Sequence, residues 1–193
     1  EDFLHGTMNS CNPVFIEVGL KVGAKNFYKY LGKLGLLNRT GIDIPGEAST
    51  IIHKIQNVGE VELATMSFGQ SFQITPMQYL VAASAVVNGG TLVTPHFAVK
   101  AENADNKLVE KFQYKSQSNA ISKNTSETMK FILEKVVSEG TGSKGQVPGF
   151  KVGGKTATSQ KLPRGSGRYI ASYMSFAPAD KPKVIAMAII DEP

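Results

Sequence analysis

The stretch Gly153-Gly154-Lys155-Thr156-Ala157-Thr158 restricts the choice of fold more than any other part of the sequence. It lies in residues 151–160, which we interpret as a β-strand, and two further strand-like segments follow at residues 169–177 and 183–191. The short connections between them favour antiparallel pairing. Residues 184–190 are apolar throughout, so we predict that this third strand lies centrally in a sheet that is covered on both sides.

Helical patterns dominate the residues before this sheet. A helix is predicted to begin with Asn12 as N-cap and Pro13 as its first residue, to end at Gly23, and to be followed by a second helix over residues 26–34. Thr75-Pro76 opens a third helix, and residues 122–138 form a fourth. The predicted inner stripe of the third helix is Met77, Leu80, Val81 and Ser84.

The remaining segments complete a mixed α/β chain of the α+β type. Residues 91–100 and 107–114 are predicted strands, joined by a turn at Asp105-Asn106. The helical part therefore covers about residues 1–90 and the sheet-containing part about residues 91–193.

Composition excludes several classes of function. Of the 193 residues, 41% are hydrophobic and 19% are charged, which is typical of one globular domain or part of a larger one. The net charge of +5 comes from scattered lysines and arginines, with no Arg-rich helix, so nucleic acid is not an expected partner. No apolar run approaches the ~18 residues of a membrane span.

The lysine stretch also matches a phosphate-binding pattern in form. Gly149 stands five positions before Gly154, which Lys155 and Thr156 follow, as in G-x-x-x-x-G-K-[ST]. That loop must open a helix, whereas Thr158-Ser159-Gln160 and the following Pro163 do not. This context argues against nucleotide binding.

A second cluster, Ser10-Cys11-Asn12, places a hydroxyl and an amide just before the first long helix. Taken alone, these residues are ordinary helix caps. Taken in order with Lys155-Thr156-Ala157, they match two of the three clusters of the penicillin-recognising enzymes, which use S-x-x-K, a Ser-x-Asn triplet and K-[TS]-G.

Further segments make the match extend over nearly the whole chain, which resembles the class B penicillin-binding proteins. The residues Asn9 to Pro13 are most similar to sporulation and division members from Gram-positive spore formers. The other segments are Gly41-Ile42-Asp43-Ile44-Pro45-Gly46-Glu47-Ala48, Ser67-Phe68-Gly69-Gln70, Ile74-Thr75-Pro76-Met77-Gln78, Asn88-Gly89-Gly90, Thr94-Pro95-His96, Gly140-Thr141-Gly142, Phe176-Ala177-Pro178-Ala179 and Ile190-Asp191-Glu192-Pro193.

The resemblance implies the penicillin-binding transpeptidase or serine β-lactamase-like fold, an antiparallel sheet flanked by helices. It implies peptidoglycan cross-linking, in which a serine attacks D-Ala-D-Ala in a stem peptide and an amine captures the acyl-enzyme; β-lactams acylate the same serine. Ser10 would then relay a proton, Asn12 would bind the donor amide, and Lys155 would supply positive charge. Thr156 and Thr158 would bind the substrate carboxylate, and the Thr158 N–H would contribute to an oxyanion hole.

Two departures from the family pattern stand out. No serine is followed three positions later by lysine, so we expect the nucleophile to lie upstream of Glu1 and this chain to be the C-terminal portion of one transpeptidase domain. By itself the chain should neither turn over substrate nor bind penicillin, and its sheet should expose an edge or face. The second departure is Ala157, which adds a methyl group to the pocket wall where the family usually has glycine.

We expect no cofactor. We interpret Cys11 as a small buried thiol and His5 as a surface imidazole. The alternative is that both bind zinc, which needs three or four protein ligands, so the others would have to come from upstream residues.

The resemblance also implies partners and a location. The partners are the peptidoglycan stem peptide, β-lactam antibiotics, the missing N-terminal segment of the same protein, and division or sporulation cell-wall machinery. The location is the extracytoplasmic face of the cell membrane, with an N-terminal anchor that this chain lacks. Two alternatives remain: a non-catalytic β-lactam or peptidoglycan sensor on the same fold, and a D,D-carboxypeptidase, in which water replaces the acceptor amine.

Overall fold

A computed structural model describes residues 2–163 and 165–193; residue 1, where the predicted helical part begins, lies outside the described residues. The described chain is a mixed α/β structure, as predicted. Its helices are α1 (Phe3–Met8), α2 (Asn12–Lys33), α3 (Glu60–Ser67), α4 (Pro76–Val87) and α5 (Lys123–Ser138). Its strands are β1 (Leu92–Val93), β2 (Lys100–Glu102), β3 (Leu108–Lys111), β4 (Ser116–Gln117), β5 (Gly153–Gln160), β6 (Tyr169–Ala177) and β7 (Val184–Asp191).

The sheet that carries the lysine stretch is antiparallel and has the order β5-β6-β7. Lys155 is opposite Met174 of β6, and Met174 is opposite Met187 of β7. Helices α4 and α5 pack on the face of the sheet that carries Met174 and Phe176, and they form the core with it. The buried core residues are Ala83, Val87, Leu133, Met174, Phe176 and Ala179. The three predicted strands and their antiparallel pairing are confirmed.

Within the described residues the third strand does not have its predicted central position. Among the described residues β7 pairs with β6 alone and forms one edge of the sheet. Val184 and Ile190, on the face opposite α4 and α5, are 65% and 58% exposed. An apolar run signals burial but does not identify what buries it, and these two side chains stay exposed. Within the described residues the sheet exposes one edge and part of one face, where an exposed edge or face was expected.

The starts of α2, α4 and α5 agree with the sequence to within one residue, whereas the helix predicted over residues 26–34 is the second part of α2. Cys11, not Asn12, is the N-cap of α2, and it makes no side-chain capping bond. Asn12 is instead the first helical residue and is exposed. The break at Gly23 is confirmed, because this residue has φ 74° and ψ 154° within α2. Among the described residues, no helix has the length and apolar character needed to cross a membrane.

Helix α4 begins as predicted, with Thr75 as its N-cap, but its inner face differs from the predicted stripe. Val81 is buried, whereas Met77, Leu80 and Ser84 are only partly buried. The most buried polar side chain in this helix is Gln78, which is 1% exposed. A polar residue can occupy this position because its amide is hydrogen-bonded to Thr75, Asn38 and Thr50.

The predicted strands between residues 91 and 114 are shorter than expected. The turn at Asp105-Asn106 is confirmed, with Asn106 at φ 59°. Residues 94–99 do not form a regular ladder because the N–H groups of Phe97 and Ala98 donate to the Asp43 carboxylate instead. Helices α1 and α3 were not predicted from the sequence. At the start of α3, Glu62 accepts from Gly59 N at 2.9 Å, and a glutamate at this position is a signal for a helix start.

Candidate active site

The loop between α1 and α2 carries Ser10 to the side of strand β5. Helix α1 ends at Met8, and the turn is closed by a 2.8 Å bond from Cys11 N to Gly6 O. Ser10 itself has φ 54°, in the left-handed region that few non-glycine residues adopt. This backbone places the half-buried Ser10 hydroxyl toward the sheet.

Strand β5 brings Lys155 to the same point. Its ammonium donates to Ser10 Oγ, 145 positions away in sequence, and to the carbonyl of Thr156 at 3.0 Å. Burial lowers the pKa of Lys155 from its ordinary value of 10.5. The structure therefore joins the two clusters that sequence analysis paired, and the lysine nitrogen is held where it can exchange protons with a hydroxyl.

The other predicted site residues are more exposed than Lys155 or lie beside it on β5. Thr156 is half-buried, whereas Ala157 and Thr158 are exposed along β5. Asn12 is exposed at the first position of α2, so its amide is accessible to a ligand. The effect of the Ala157 methyl group on a ligand stays a prediction.

A cleft of about 290 Å³ opens beside Thr158. It lies between the end of α3 and the end of β5. Its lining residues are Thr65, Phe68, Gln70, Thr158, Gln160 and Tyr169. None of these side chains is charged, so the cleft suits a neutral polar or aromatic group rather than an anion.

The glycines of the lysine stretch have a packing role. A Cβ at Gly153 would lie 2.3 Å from the Phe176 ring, and one at Gly154 would lie 2.6 Å from the Met174 carbonyl oxygen. The chain then continues as a strand to Gln160 and opens no helix. Both observations argue against a phosphate-binding loop, because the glycines admit the neighbouring strand and not a ligand.

Thr141 is a site residue to which sequence analysis gave no role. Its N–H and its hydroxyl both donate to the carbonyl of Met8 at 3.0 Å, and its Oγ1 lies 3.4 Å from Ser10 Oγ. The available signal was the threonine between two glycines. Gly140 is required there, since a Cβ would lie 2.7 Å from Met8 O.

The two residues considered as alternative zinc ligands, His5 and Cys11, do not lie in a cluster of metal-binding side chains among the described residues. His5 Nδ1 lies 2.9 Å from Asp2 Oδ1, and Cys11 is a half-buried N-cap residue. Residues 2–163 and 165–193 contain no group of three or more histidine, cysteine, aspartate or glutamate side chains arranged to hold a metal ion.

Comparison with known proteins places this geometry in a family. The sequence profile of the penicillin-binding protein transpeptidase domain matches residues 2–193. Stage V sporulation protein D of Bacillus subtilis is 41% identical over 197 residues, covering 100% of this chain and 30% of that protein. The probable peptidoglycan D,D-transpeptidase PenA of Neisseria gonorrhoeae is 30% identical, covering 92% of this chain and 29% of its own length.

Solved structures give the same assignment. Penicillin-binding protein 3 of Mycobacterium tuberculosis in complex with aztreonam superposes with a TM-score of 0.90 at 27% identity, over 99% of this chain and 45% of that one. The transpeptidase domain of an Eggerthella lenta peptidoglycan glycosyltransferase has a TM-score of 0.87 at 22% identity and supports the fold alone.

These matches confirm the class B resemblance and the predicted relationship to a sporulation protein. The chain spans only about 30% of the length of the curated relatives. Over residues 2–193, however, the match to the family is continuous. The chain therefore belongs to the penicillin-binding protein transpeptidase domain family.

Proposed function

We propose that the complete protein is a serine-type peptidoglycan D,D-transpeptidase and that these residues form the proton-transfer and carboxylate-binding half of its site. The observation that carries the proposal is the hydrogen bond from Lys155 to Ser10. It joins a cation to a hydroxyl near the start of strand β5, whose later residues Thr156 and Thr158 carry further hydroxyls.

Acyl transfer needs both halves of such a site. When a serine attacks the D-Ala-D-Ala carbonyl, its proton passes to a base, and the departing D-Ala amine must gain a proton. Ser10 is placed to give its proton to that amine and to receive one from Lys155. Asn12 supplies an amide for the donor peptide, and Thr156 and Thr158 supply donors for its terminal carboxylate. β-Lactams present a carboxylate and a strained amide to the same groups.

The nucleophile belongs, in this proposal, to a part of the complete protein outside these 193 residues. The exposed edge of β7 is the place where we propose that another segment of the same protein pairs. The isolated chain is accordingly proposed to be inert: a labelled penicillin does not acylate it, and covalent labelling of it refutes this part of the proposal. We further propose an extracytoplasmic, membrane-anchored location and association with cell-wall machinery of sporulation or division.

The experiment compares products formed by the complete protein from a synthetic stem peptide ending in D-Ala-D-Ala, with and without an amine acceptor. A cross-linked product together with free D-Ala supports transpeptidation. Free D-Ala without a cross-linked product identifies a D,D-carboxypeptidase. Acylation by penicillin without peptide turnover identifies a sensor on this fold, and no reaction with either compound overturns the proposal.

A further inference from the structure

The Thr141 hydroxyl and the Lys155 ammonium both contact Ser10 Oγ. The Thr141 hydroxyl oxygen is 3.0 Å from the Met8 carbonyl and 3.4 Å from Ser10 Oγ. Ser10 Oγ also accepts a hydrogen bond from the Lys155 ammonium. The four groups form a continuous row from a strand lysine through two hydroxyls to a backbone carbonyl.

The directions of the hydrogen bonds in this row follow from the number of protons available. A carbonyl oxygen only accepts, so the single hydroxyl proton of Thr141 is directed to Met8 O. Thr141 Oγ1 can then only accept from Ser10. An ammonium only donates, so Ser10 Oγ accepts from Lys155 and its own proton is directed to Thr141.

The position of Thr141 is fixed by its backbone. Its N–H donates to the same Met8 carbonyl at 3.0 Å. The flanking residue Gly140 approaches Met8 so closely that a side chain there has no room, and a Cβ at Gly142 would lie 3.0 Å from Val136 O. The hydroxyl therefore cannot follow Ser10 if Ser10 moves, and it acts as a fixed acceptor.

We infer that Thr141 is a positioning residue for Ser10. In the resting site its hydroxyl oxygen accepts a hydrogen bond from the Ser10 hydroxyl, which turns a Ser10 lone pair toward Lys155. The inference rests on the proposed acyl-transfer function. At 3.4 Å the Ser10–Thr141 contact is longer than a strong O–H···O bond, so it orients the proton without holding it. During the reaction the Ser10 O–H bond breaks as the leaving amine gains that proton, and Lys155 returns one to Ser10.

The test measures acylation of the complete protein by a fluorescent penicillin, resolved into the dissociation constant of the non-covalent complex and the rate constant of acylation. Thr141→Val removes the acceptor with little change in size, and we expect the acylation rate constant to fall about tenfold while the dissociation constant stays within about twofold. Thr141→Ser keeps the hydroxyl and should restore the rate. Thr141→Ala removes the hydroxyl without adding a methyl group in its place and should lower the acylation rate constant by the same factor. This variant keeps the test available if the valine variant fails to fold.

Thr128→Val is the matched control, because the Thr128 hydroxyl also donates to a backbone carbonyl, Asn124 O, at 3.0 Å, on the exposed side of α5. It should leave both constants unchanged. An acylation rate constant within twofold of wild type in the alanine variant overturns the inference while the proposed function stands. Failure of the serine variant to restore the rate also overturns it. An unreactive wild-type protein overturns the proposed function, and the inference with it.

Discussion

The polar groups around Gln78 and those around Ser10 are of the same chemical kinds, but only the first set is closed. The Gln78 amide accepts from Thr75 N at 2.8 Å and donates to Asn38 O and Thr50 Oγ1, each at 2.7 Å. Thr50 in turn donates to Leu36 O at 2.7 Å. Every polar atom of this buried side chain has a partner, and the network ties the start of α4 to the loops around it.

The Ser10 network is half-buried and open. Ser10 and Thr141 are 3.4 Å apart, and Asn12 and Thr158 present exposed side chains. A closed network stabilises the fold, whereas an open network keeps donors and acceptors available for a ligand. The family segments thus divide into two groups by their hydrogen bonds: those that stabilise the scaffold and those that leave polar groups accessible to a ligand.

A second closed network lies in the segment of residues 41–48. Burial raises the pKa of Glu47, but bonds from the Thr40 hydroxyl at 2.7 Å, Thr40 N at 2.8 Å and Gly41 N at 3.1 Å outweigh it, so the net pKa is lowered. The neighbouring Asp43 accepts from Ala98 N and Tyr114 Oη. This segment therefore stabilises the scaffold. Sequence similarity to the family alone does not show whether a segment has this structural role or belongs to the site.

The largest expected effect is on the open network. Lys155→Met in the complete protein should reduce the rate of acylation by penicillin about a thousandfold, because it removes the group that exchanges protons with Ser10. Lys151→Met, at an exposed lysine just before β5, is the matched control and should change the rate less than twofold. Equal rates in wild type and Lys155→Met contradict the assignment of Lys155.

The same variant tests the electrostatics of the site. The lowered pKa of Lys155 means that the folded protein gives up this proton more easily than the unfolded chain. Wild-type stability should therefore rise as the pH increases from the lowered pKa toward 10.5, and the methionine variant should lack this rise. Thermal unfolding midpoints across alkaline pH measure it.

The next effect is on the closed network. Gln78→Met leaves Asn38 O and the Thr75 N–H without their buried partners, and we expect the free energy of unfolding to fall by about 3 kcal/mol. Gln73→Met, at an exposed glutamine in the loop before α4, should change the free energy of unfolding by less than about 0.5 kcal/mol. Denaturant unfolding of the two variants makes the comparison. Equal stability of the two variants would mean that the Gln78 network does not stabilise the fold.

A smaller, pH-dependent effect is expected at Asp43. Hydrogen bonds from Ala98 N and Phe97 N, together with that from the Tyr114 hydroxyl, lower the pKa of this carboxyl below 3.8. The carboxylate therefore adds stability above pH 3.8 that is lost as the pH falls through the lowered pKa. Asp43→Asn should lower the thermal midpoint at neutral pH, and the difference from wild type should vanish at the acid end. A constant difference at all pH values contradicts this role.

The smallest effect concerns a buried hydroxyl outside both networks. Tyr173 Oη is buried against Gly145 and Gly154 with no hydrogen-bond partner among the described residues. Tyr173→Phe should therefore leave stability unchanged or raise it by about 1 kcal/mol. Tyr28→Phe, which removes a 2.6 Å bond to His53 O, should lower stability by a similar amount. Destabilisation by the Tyr173 change would show that its hydroxyl has a partner after all.

Sequence patterns predicted those parts of the fold in which local signals and burial agree. The Thr75-Pro76 start of α4 and the limits of β6 are such cases. The edge position of β7 was missed because an apolar run does not say which element covers it. The interior role of Gln78 was missed because a polar residue enters the core only when distant partners satisfy it.

The site shows the same division. The pairing of Ser10 with Lys155 was predictable from the order of two motifs in a known family, and the hydrogen bond shows that the fold brings the two side chains together, whereas their catalytic roles stay predictions. Thr141 was not, because its part depends on the close approach of Met8 and Gly140, which no spacing in the sequence reveals. Motifs identify the groups that carry chemistry, whereas the residues that orient them are found only in three dimensions.

The most direct test of the account is to locate the penicillin adduct in the complete protein by peptide mapping after a brief reaction. We predict one acylated serine that lies outside these 193 residues and whose labelling requires Lys155. An adduct on Ser10, or on any other serine of this chain, would contradict the division of the site between these residues and the rest of the protein.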